Sequence, residues 1–570
     1  MNNNTFFRHR VRYRGVGTSL LCFLMATSVL AGGASQAFAD DSASIHRLEA
    51  EIQRIEARHQ QEIGALRAEI HHLRHREGGP IYVNKDEEPG ALLPHVIESE
   101  KGPVHFGFAS GDGQNTVELT GRLHIDTGGY LDTNRNTTSS GFASHGLASG
   151  INFRRARIGV QGIFLGDWAY GLIFDLGGSS DGYNGGEAQN SGTSTSGIEN
   201  AFITYNGFYK HGGPFPVAFD IGAIDVPWTL DEPNGSNDIM FMERSSSQVI
   251  ATAFGGGDNR TALGFRSNND RYWVGAYLTG PTTGQLHTTT AYSDQPAANG
   301  TGEGLGPQFA ALFRATYNPY QDKASNASVH LGFNFADTFD PRSGGAPTGT
   351  GAGAWGEGFS LSDRPELRVD PTAEFGSTIP AHGGQVFGAE AAATYENFYI
   401  QGEYYHYIVD TRNSATAFAA TNGPAVGFNG GYVQTSYTFG GRRYYKPTTG
   451  AYSGVIPDRP FIFGTGGWGA LEVAGRFSIV DLNAAAPYLA GAGGGAGNAA
   501  GIIRGGTAAA AILGGEQTSY GAGLNWYPNN NIKFMLDYEH VIEDLPATLG
   551  GPNTRGGTID WIAARSQVVF

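Results

Sequence analysis

Arg122, Arg155, Arg157, Arg266, Arg271, Arg314, Arg476 and Arg565 each fall on the polar side of a segment that alternates apolar and polar residues. Arg244, Arg364, Arg368, Arg442, Arg443 and Lys446 lie instead on three long intervening segments, 225–259, 338–384 and 441–465. A guanidinium is always charged and presents a planar fork of donors that matches two oxygens of an oxyanion at once. A row of them along one face suits recognition of phosphate-like anions. The competing use is internal ion pairing, because Glu118, Asp126, Asp175, Glu390, Glu403 and Glu472 share the arginine-bearing faces. The stretch 441–447, "GRRYYKP", carries three positive charges and no acid.

Bond-making chemistry is not legible. "GSSDG" at 178–182 fits the G-x-S-x-G pattern, but a Gly-rich chain meets that pattern by chance, and the strand–turn–helix setting of a serine nucleophile is missing. "GAGGGAG" at 491–497 has no following Lys-Ser/Thr, so it is not a phosphate-cradling loop. His71 and His75 are four residues apart with no third ligand placed for a metal. No catalytic residue, metal or cofactor is assigned.

The elements that must carry the arginines have a period of two. In "INFRRARIGVQGIFLGDWAYGLIFDL", residues 151–176, Arg154, Ala156, Ile158, Val160 and Phe164 share one face, and Arg155, Arg157 and Gln161 the other. Strict alternation means strands, and one greasy and one wet face mean a sheet between two media. Such strands recur at 115–131, 151–164, 167–176, 198–208, 217–224, 260–267, 271–279, 308–318, 327–337, 385–395, 398–409, 430–440, 466–482, 515–527, 531–541 and 558–570. Their length fits a tilted strand crossing a bilayer, and short connections alternate with long ones, as in outer-membrane barrels of Gram-negative bacteria. One connection, 441–465, is long where a short turn is due, and a strand-like piece at 356–369 must sit within a loop. The fold class is all-β: a transmembrane antiparallel β-barrel of sixteen strands over 115–570. Trp168, Trp526, Tyr527 and Trp561 fall near strand ends, where interfacial aromatic girdles are expected. Phe570 ends the last strand on its apolar face, in register with Val568, and reads as the signal for barrel-assembly machinery.

The N-terminal region differs. Arg8, Arg10, Arg12 and Arg14, the apolar "LLCFLMATSVLA" and "AFA" at 37–39 predict a signal peptide over 1–39. Removing it takes four arginines and no acid, leaving 33 basic and 53 acidic residues, a net charge of −20. That balance excludes a nucleic-acid binder. It also removes Cys22, the one cysteine, and with it disulfides and thiolate metal sites. Ile45, Leu48, Ile52 and Ile55, then Ile63, Leu66, Ile70 and Leu73, form a three-four seam, predicting a periplasmic α-helical coiled coil over 42–76. Residues 77–114 read as a linker.

Several stretches then resemble the phosphate-selective porin O and P family: "FRRARIGVQG" (153–162), "IENAFITYNG" (198–207), "FMER" (241–244), "RPELR" (364–368), "QGEYY" (401–405), "SYTFGGRRYYKPTTGAYSGVIP" (436–457), "GWGALEVAGRFSIVDLN" (467–483) and "GAGLNWYPNNNIKFMLDYEH" (521–540). The resemblance implies a sixteen-stranded homotrimeric channel for small anions, with the lipid bilayer and lipopolysaccharide as its surroundings. It also implies a pore narrowed by the external loop after strand five, a later external loop and an inward-folded periplasmic turn, the places taken here by 225–259, 338–384 and 441–465. The anion pathway and constriction are then expected at Arg442, Arg443, Lys446, Arg364, Arg368, Arg244, Arg155, Arg157, Arg122 and Arg314. Family members that prefer phosphate place lysines at the constriction, whereas this chain has six lysines, with Lys85 and Lys101 in the linker. Two other readings stay open: a weakly selective diffusion porin whose acids cancel its arginines, and a barrel anchor whose coiled coil tethers the envelope.

Overall fold

The protein is described from a computed structural model, at residues 92–98, 104–136, 147–177, 198–211, 216–255, 257–282, 309–341, 343–347, 355–370, 373, 375–413, 421–464, 466–485, 502–503, 511–546 and 553–570. The signal peptide, the coiled coil, the His71–His75 pair and the "GSSDG" and "GAGGGAG" stretches, apart from Gly177's neighbourhood, lie outside these residues.

All sixteen expected strands form: β1 Thr116–Asn136, β2 Gly150–Phe164, β3 Trp168–Asp175, β4 Ile198–Tyr205, β5 Ala218–Val226, β6 Gly257–Asn268, β7 Tyr272–Thr282, β8 Phe309–Asp322, β9 Ala327–Asp340, β10 Phe375–Tyr395, β11 Phe398–Asn413, β12 Thr421–Phe439, β13 Ala470–Ala485, β14 Ala511–Asn529, β15 Ile532–Pro546 and β16 Asn553–Val569. Each pairs antiparallel with the next. β16 then pairs with β1, from Val569↔Arg122 to Gly556↔Asn136, which closes the sheet. Closure matters because hydrocarbon offers no partner for an unpaired backbone N–H or C=O. The strand-like piece within the loop after β9 is Trp355–Asp363, which pairs with the first residues of β10.

Alternation sorts the two faces. Leu331, Phe333, Phe387, Val433, Phe477, Leu524 and Leu536 are exposed on the outside, while Arg314, Glu390, Gln434, Arg476 and Asn525 are buried inside. The lumen is not an empty tube. Residues 227–255, including helix α1 Ser246–Thr252, fold into it and pack Trp228, Ile250, Ala251 and Phe254 against wall residues Trp273, Tyr405, Tyr407 and Phe428.

Three local expectations are corrected. Arg154 does not face lipid: the β1–β2 register shifts between His124↔Arg155 and Ile125↔Phe153, leaving Arg154 as the extra residue of a bulge. Arg154 and Arg155 both turn inward and are buried, and Phe153 takes the outer face. A guanidinium on the lipid face at mid-barrel would cost about 2–4 kcal/mol, which the bulge avoids. Second, part of the stretch read as a linker is structured: Leu92–Glu98 pairs with Val104–Ser110, and the latter with the start of β1. Phe106 and Phe108 alternate outward there, continuing the barrel's pattern. Third, Trp561 and Tyr527 are buried in the lumen rather than in a girdle, because the infolded loops supply their cover. Trp168 and Trp526 do lie outside, Trp168 against Phe164 and Tyr205, and Trp526 stacked on Phe534.

The barrel seam ends on Phe570. Its N–H donates to the Gly121 carbonyl, the Gly121 N–H donates back to the Phe570 carbonyl, and the Phe570 ring lies over Gly121, where a Cβ would sit 2.2 Å from Cζ. Gly121→Val should therefore expel the ring from the seam, destabilising closure by about 1–3 kcal/mol. Heat-modifiable migration on gels checks this: the variant should lose its folded band at lower temperature than wild type.

Candidate functional site

The loop after β5 crosses the lumen, and the wall grips its backbone. Asn525 Nδ2 donates to the Met240 carbonyl at 2.8 Å, Lys533 Nζ to Ile239 at 2.6 Å, Arg476 Nη1 to Glu243 at 2.7 Å and Gln567 Nε2 to Asn237 at 3.1 Å. The loop's own N–H groups find wall carboxylates: Leu230 donates to Glu403 at 2.8 Å and Met242 to Asp537 at 2.7 Å. An irregular segment inside a barrel needs such partners, since its backbone groups are removed from bulk water.

Two further segments join it. From the loop after β9, Glu366 accepts from Ser246 N–H at 2.9 Å and pairs with Arg476, while Trp561 Nε1 donates to the Pro365 carbonyl at 2.8 Å. From the turn after β12, residues 441–457 enter at the short-turn end. Arg443 makes a two-pronged pair with Glu472, at 2.8 and 2.9 Å, and donates to the Asp238 and Ser453 carbonyls. Arg314 pairs with Glu390 at 3.0 Å and holds the Thr449 and Gly450 carbonyls.

Glu243 is the hub of the first crossing. It pairs with Arg154 at 2.7 Å, Arg565 at 2.9 Å and Arg368 at 3.6 Å. Burial alone would raise its carboxyl, but Arg154, Arg565, Arg155 and Arg368 outweigh burial and hold it well below the usual carboxylate range. Around this hub the structure gathers one basic wall patch. Arg122 sits opposite Arg157, and His124 opposite Arg155, on β1 and β2. Arg157 is neutralised by Asp175 at 2.8 Å and by Glu199. Arg122 Nη1 donates to Ser236 Oγ, while its Nε has no hydrogen-bond partner among the described residues. Arg155 is 3% exposed, yet among the described residues its Nε and Nη1 have no hydrogen-bond partner either.

The other expected residues are dispersed. Arg244 lies beside Asp231 at 3.4 Å and Glu232 at 3.7 Å. Arg364 is partly buried, on the segment that carries Glu366. Arg314 is on the distant β8, and Arg271 caps carbonyls of Asn318 and Pro319 at a short turn. Arg266 pairs with Asp220 at 3.0 Å. At the short-turn end, Arg442 is half-buried with an unpartnered Nε. Lys446 lies 3.5 Å from Asp238, and both line a cavity of about 290 Å³ with Asn237, Tyr527 and Lys533. Of the six wall acids weighed against the arginines, Asp126, Asp175, Glu390 and Glu472 pair with them. Sequence reasoning missed Arg154 and Glu243. The one signal for the latter was its place in "FMER", a motif in a loop read as infolding.

A closed sixteen-stranded barrel, apolar outside and charged inside, narrowed by segments folded into its lumen, defines an outer-membrane porin. The chain belongs to the family described as phosphate-selective porin O and P, whose model matches residues 117–570. It is similar to porin O of Pseudomonas aeruginosa, with 24% identity over 497 residues, covering 83% of this chain and 92% of that protein. An uncharacterised protein of Caulobacter vibrioides is 25% identical over 434 residues, 76% of this chain and 69% of the other. Among solved structures, OmpT of Vibrio cholerae aligns with a TM-score of 0.41 at 11% identity, over 83% of this chain and 100% of that one.

The depressed Glu243 carboxyl gives a pH prediction. A lowered folded-state value means that its contribution is present above the unfolded value, about 4.3, and is lost as pH falls through the folded value. Glu243→Gln should loosen the crossing and shift the zero-current potential in a salt gradient toward anions. The difference between variant and wild type should persist from pH 7 down through 4.3 and vanish only well below it. A difference that disappears near pH 5 would mean Glu243 is not held by its arginines.

Proposed function

We propose that the pore conducts small anions passively, phosphate among them, with Arg155 as the principal untied positive charge beside the pathway. The observation that carries this reading is the pair of unpartnered N–H groups on buried Arg155, set in a wall with Arg122, Arg154 and Arg157. Most lumen arginines are tied to carboxylates, so a passing anion gains little from them. An untied guanidinium in a narrow, water-poor space is different: a charge there acts through a lower dielectric than in bulk water. Arg122, Arg442 and Lys446 extend this field: Arg122 and Arg442 each keep a buried Nε without a hydrogen-bond partner among the described residues, and the Lys446 ammonium is partly exposed. Arg244, Arg364 and Arg368 contribute field from the infolded loops, while Arg157, Arg314 and Arg443 chiefly hold the lumen's shape. The net charge of −20 does not oppose this, because acids farther than a Debye length, about 8 Å at physiological salt, are screened from the constriction.

A weakly selective porin is the second reading, favoured by the number of arginines that carboxylates already neutralise. For assembly, we infer a homotrimer in the bilayer, with lipopolysaccharide around its outer rim and Phe570 as the handle for the assembly machinery. The 45–73 seam supports a coiled coil that joins three chains in the periplasm, since Ile and Leu at both seam positions favour more than two strands.

Arg155→Gln should lower anion preference in reversal-potential measurements, most strongly at low salt, whereas Arg271→Gln at the rim should change it little. Equal shifts, or none from Arg155→Gln, would favour the weakly selective reading. Deleting 42–76 should lower the temperature at which the trimer dissociates on gels and leave conductance per channel unchanged. A deleted form with undiminished heat resistance would assign the seam another role.

A further inference from the structure

The turn after β12 divides at Pro457. Residues 441–457 lie in the lumen, but 458–464 and 466–469 leave it and lie beside outward-facing Trp526 at the short-turn rim. There Ile462, Phe463 and Trp468 are 54%, 91% and 76% exposed, and Phe463 is the most exposed large apolar residue among the described residues. The tip is built rather than slack. Ile462 bridges Gly467, and the Phe461 N–H donates to the Pro528 carbonyl at 2.6 Å. Gly464, Gly466 and Gly469 adopt φ of +81°, +80° and +73°, a bend that side-chain-bearing residues resist.

The exposed rings continue the barrel's lipid-facing surface. Phe461 meets Trp526 edge-on at 5.5 Å, Trp526 stacks on outward Phe534 at 5.5 Å, and Trp526 Nε1 donates to the Trp468 carbonyl at 2.8 Å. The segment's one acid, exposed Asp458, stands at its base beside exposed Arg459, and no acid lies between Arg459 and Gly469.

We propose that residues 458–464 and 466–469 are a membrane anchor, with Phe463 and Trp468 in the headgroup–acyl boundary of the phospholipid leaflet at the short-turn end and Arg459 against lipid phosphate. Trp and Phe partition into that boundary, and a cation at its edge adds attraction to phosphates. The anchor holds the base of the turn whose other half fills the pore, and does not depend on which solute the pore prefers.

The test uses the absence of cysteine after residue 39. Phe463→Cys, labelled with an environment-sensitive fluorophore in phosphatidylethanolamine–phosphatidylglycerol vesicles, should emit to the blue of the same label at exposed Lys323→Cys. Nitroxide lipids should quench it several-fold more than the Lys323 label, and aqueous iodide several-fold less. Heat-modifiable migration verifies folding, and Ile462→Cys provides a second site. Iodide quenching equal to that at Lys323 would place the turn in water and overturn the proposal. Protection from both quenchers, with disulfide cross-linking between Phe463→Cys chains, would overturn it in favour of contact with a second copy.

Discussion

A backbone amide in hydrocarbon has no water to bond, and the architecture depends on that constraint. It forces the sixteen strands to close on themselves at β16–β1, down to the reciprocal hydrogen bonds between Gly121 and Phe570. Closure fixes which residues face lipid and which face the lumen, because the side-chain period is two and a slip of one residue would exchange the faces. The bulge at Arg154 shows the constraint acting locally. The register yields by one residue so that a guanidinium turns inward, and β1 and β2 rejoin with Phe153 outside.

Inside the barrel the same accounting of polar groups applies to the infolded segments. The loop after β5 is irregular and largely cut off from bulk water, so its carbonyls and N–H groups are met by Asn525, Lys533, Arg476, Glu403 and Asp537 from the wall. Those wall residues come from four strands, which ties the crossing to the barrel's circumference rather than to a single neighbour. Ion pairs then set its charge. Buried pairs are weak evidence of net stability, since desolvation offsets much of their attraction, but breaking one leaves an uncompensated charge. The arrangement around Glu243 is therefore better understood as fixing the position of the crossing. What the acids leave untied includes two N–H groups of Arg155, which find no hydrogen-bond partner among the described residues.

The strands were legible in the sequence because each is a local pattern of alternation that needs no partner to be seen. The infolded segments were legible for a related reason: 225–259 and 441–465 were too long or misplaced for the barrel's connections. The pairings were not. Arg154 meets Glu243 across 89 residues and Arg565 meets Asp126 across 439, and no local pattern distinguishes a tied arginine from a free one. The same limit applied to Trp561 and Tyr527. They were read as interfacial because no second layer was visible to cover them, whereas the cover comes from Pro365 and its neighbours and from the turn after β12. Arg443, which stood out for its local charge, proves tied to Glu472, a residue 29 positions away on the next strand.

That long turn after β12 is informative because it cannot satisfy both halves of its composition in one place. In "GRRYYKP" Arg443 finds its partner in the lumen, at Glu472, and just beyond it the Arg314 guanidinium holds the Thr449 and Gly450 carbonyls. "PFIFGTGGWG" carries no charge and four large apolar side chains, and the lumen at that level is lined by Asp238, Lys446 and Lys533. Burying those rings there would displace the charged groups from their partners, and a buried charge without its partner is costly. The chain therefore reverses direction at Pro457. A closing contact in the pore and an apolar surface at the rim are thus two ends of one connection between β12 and β13.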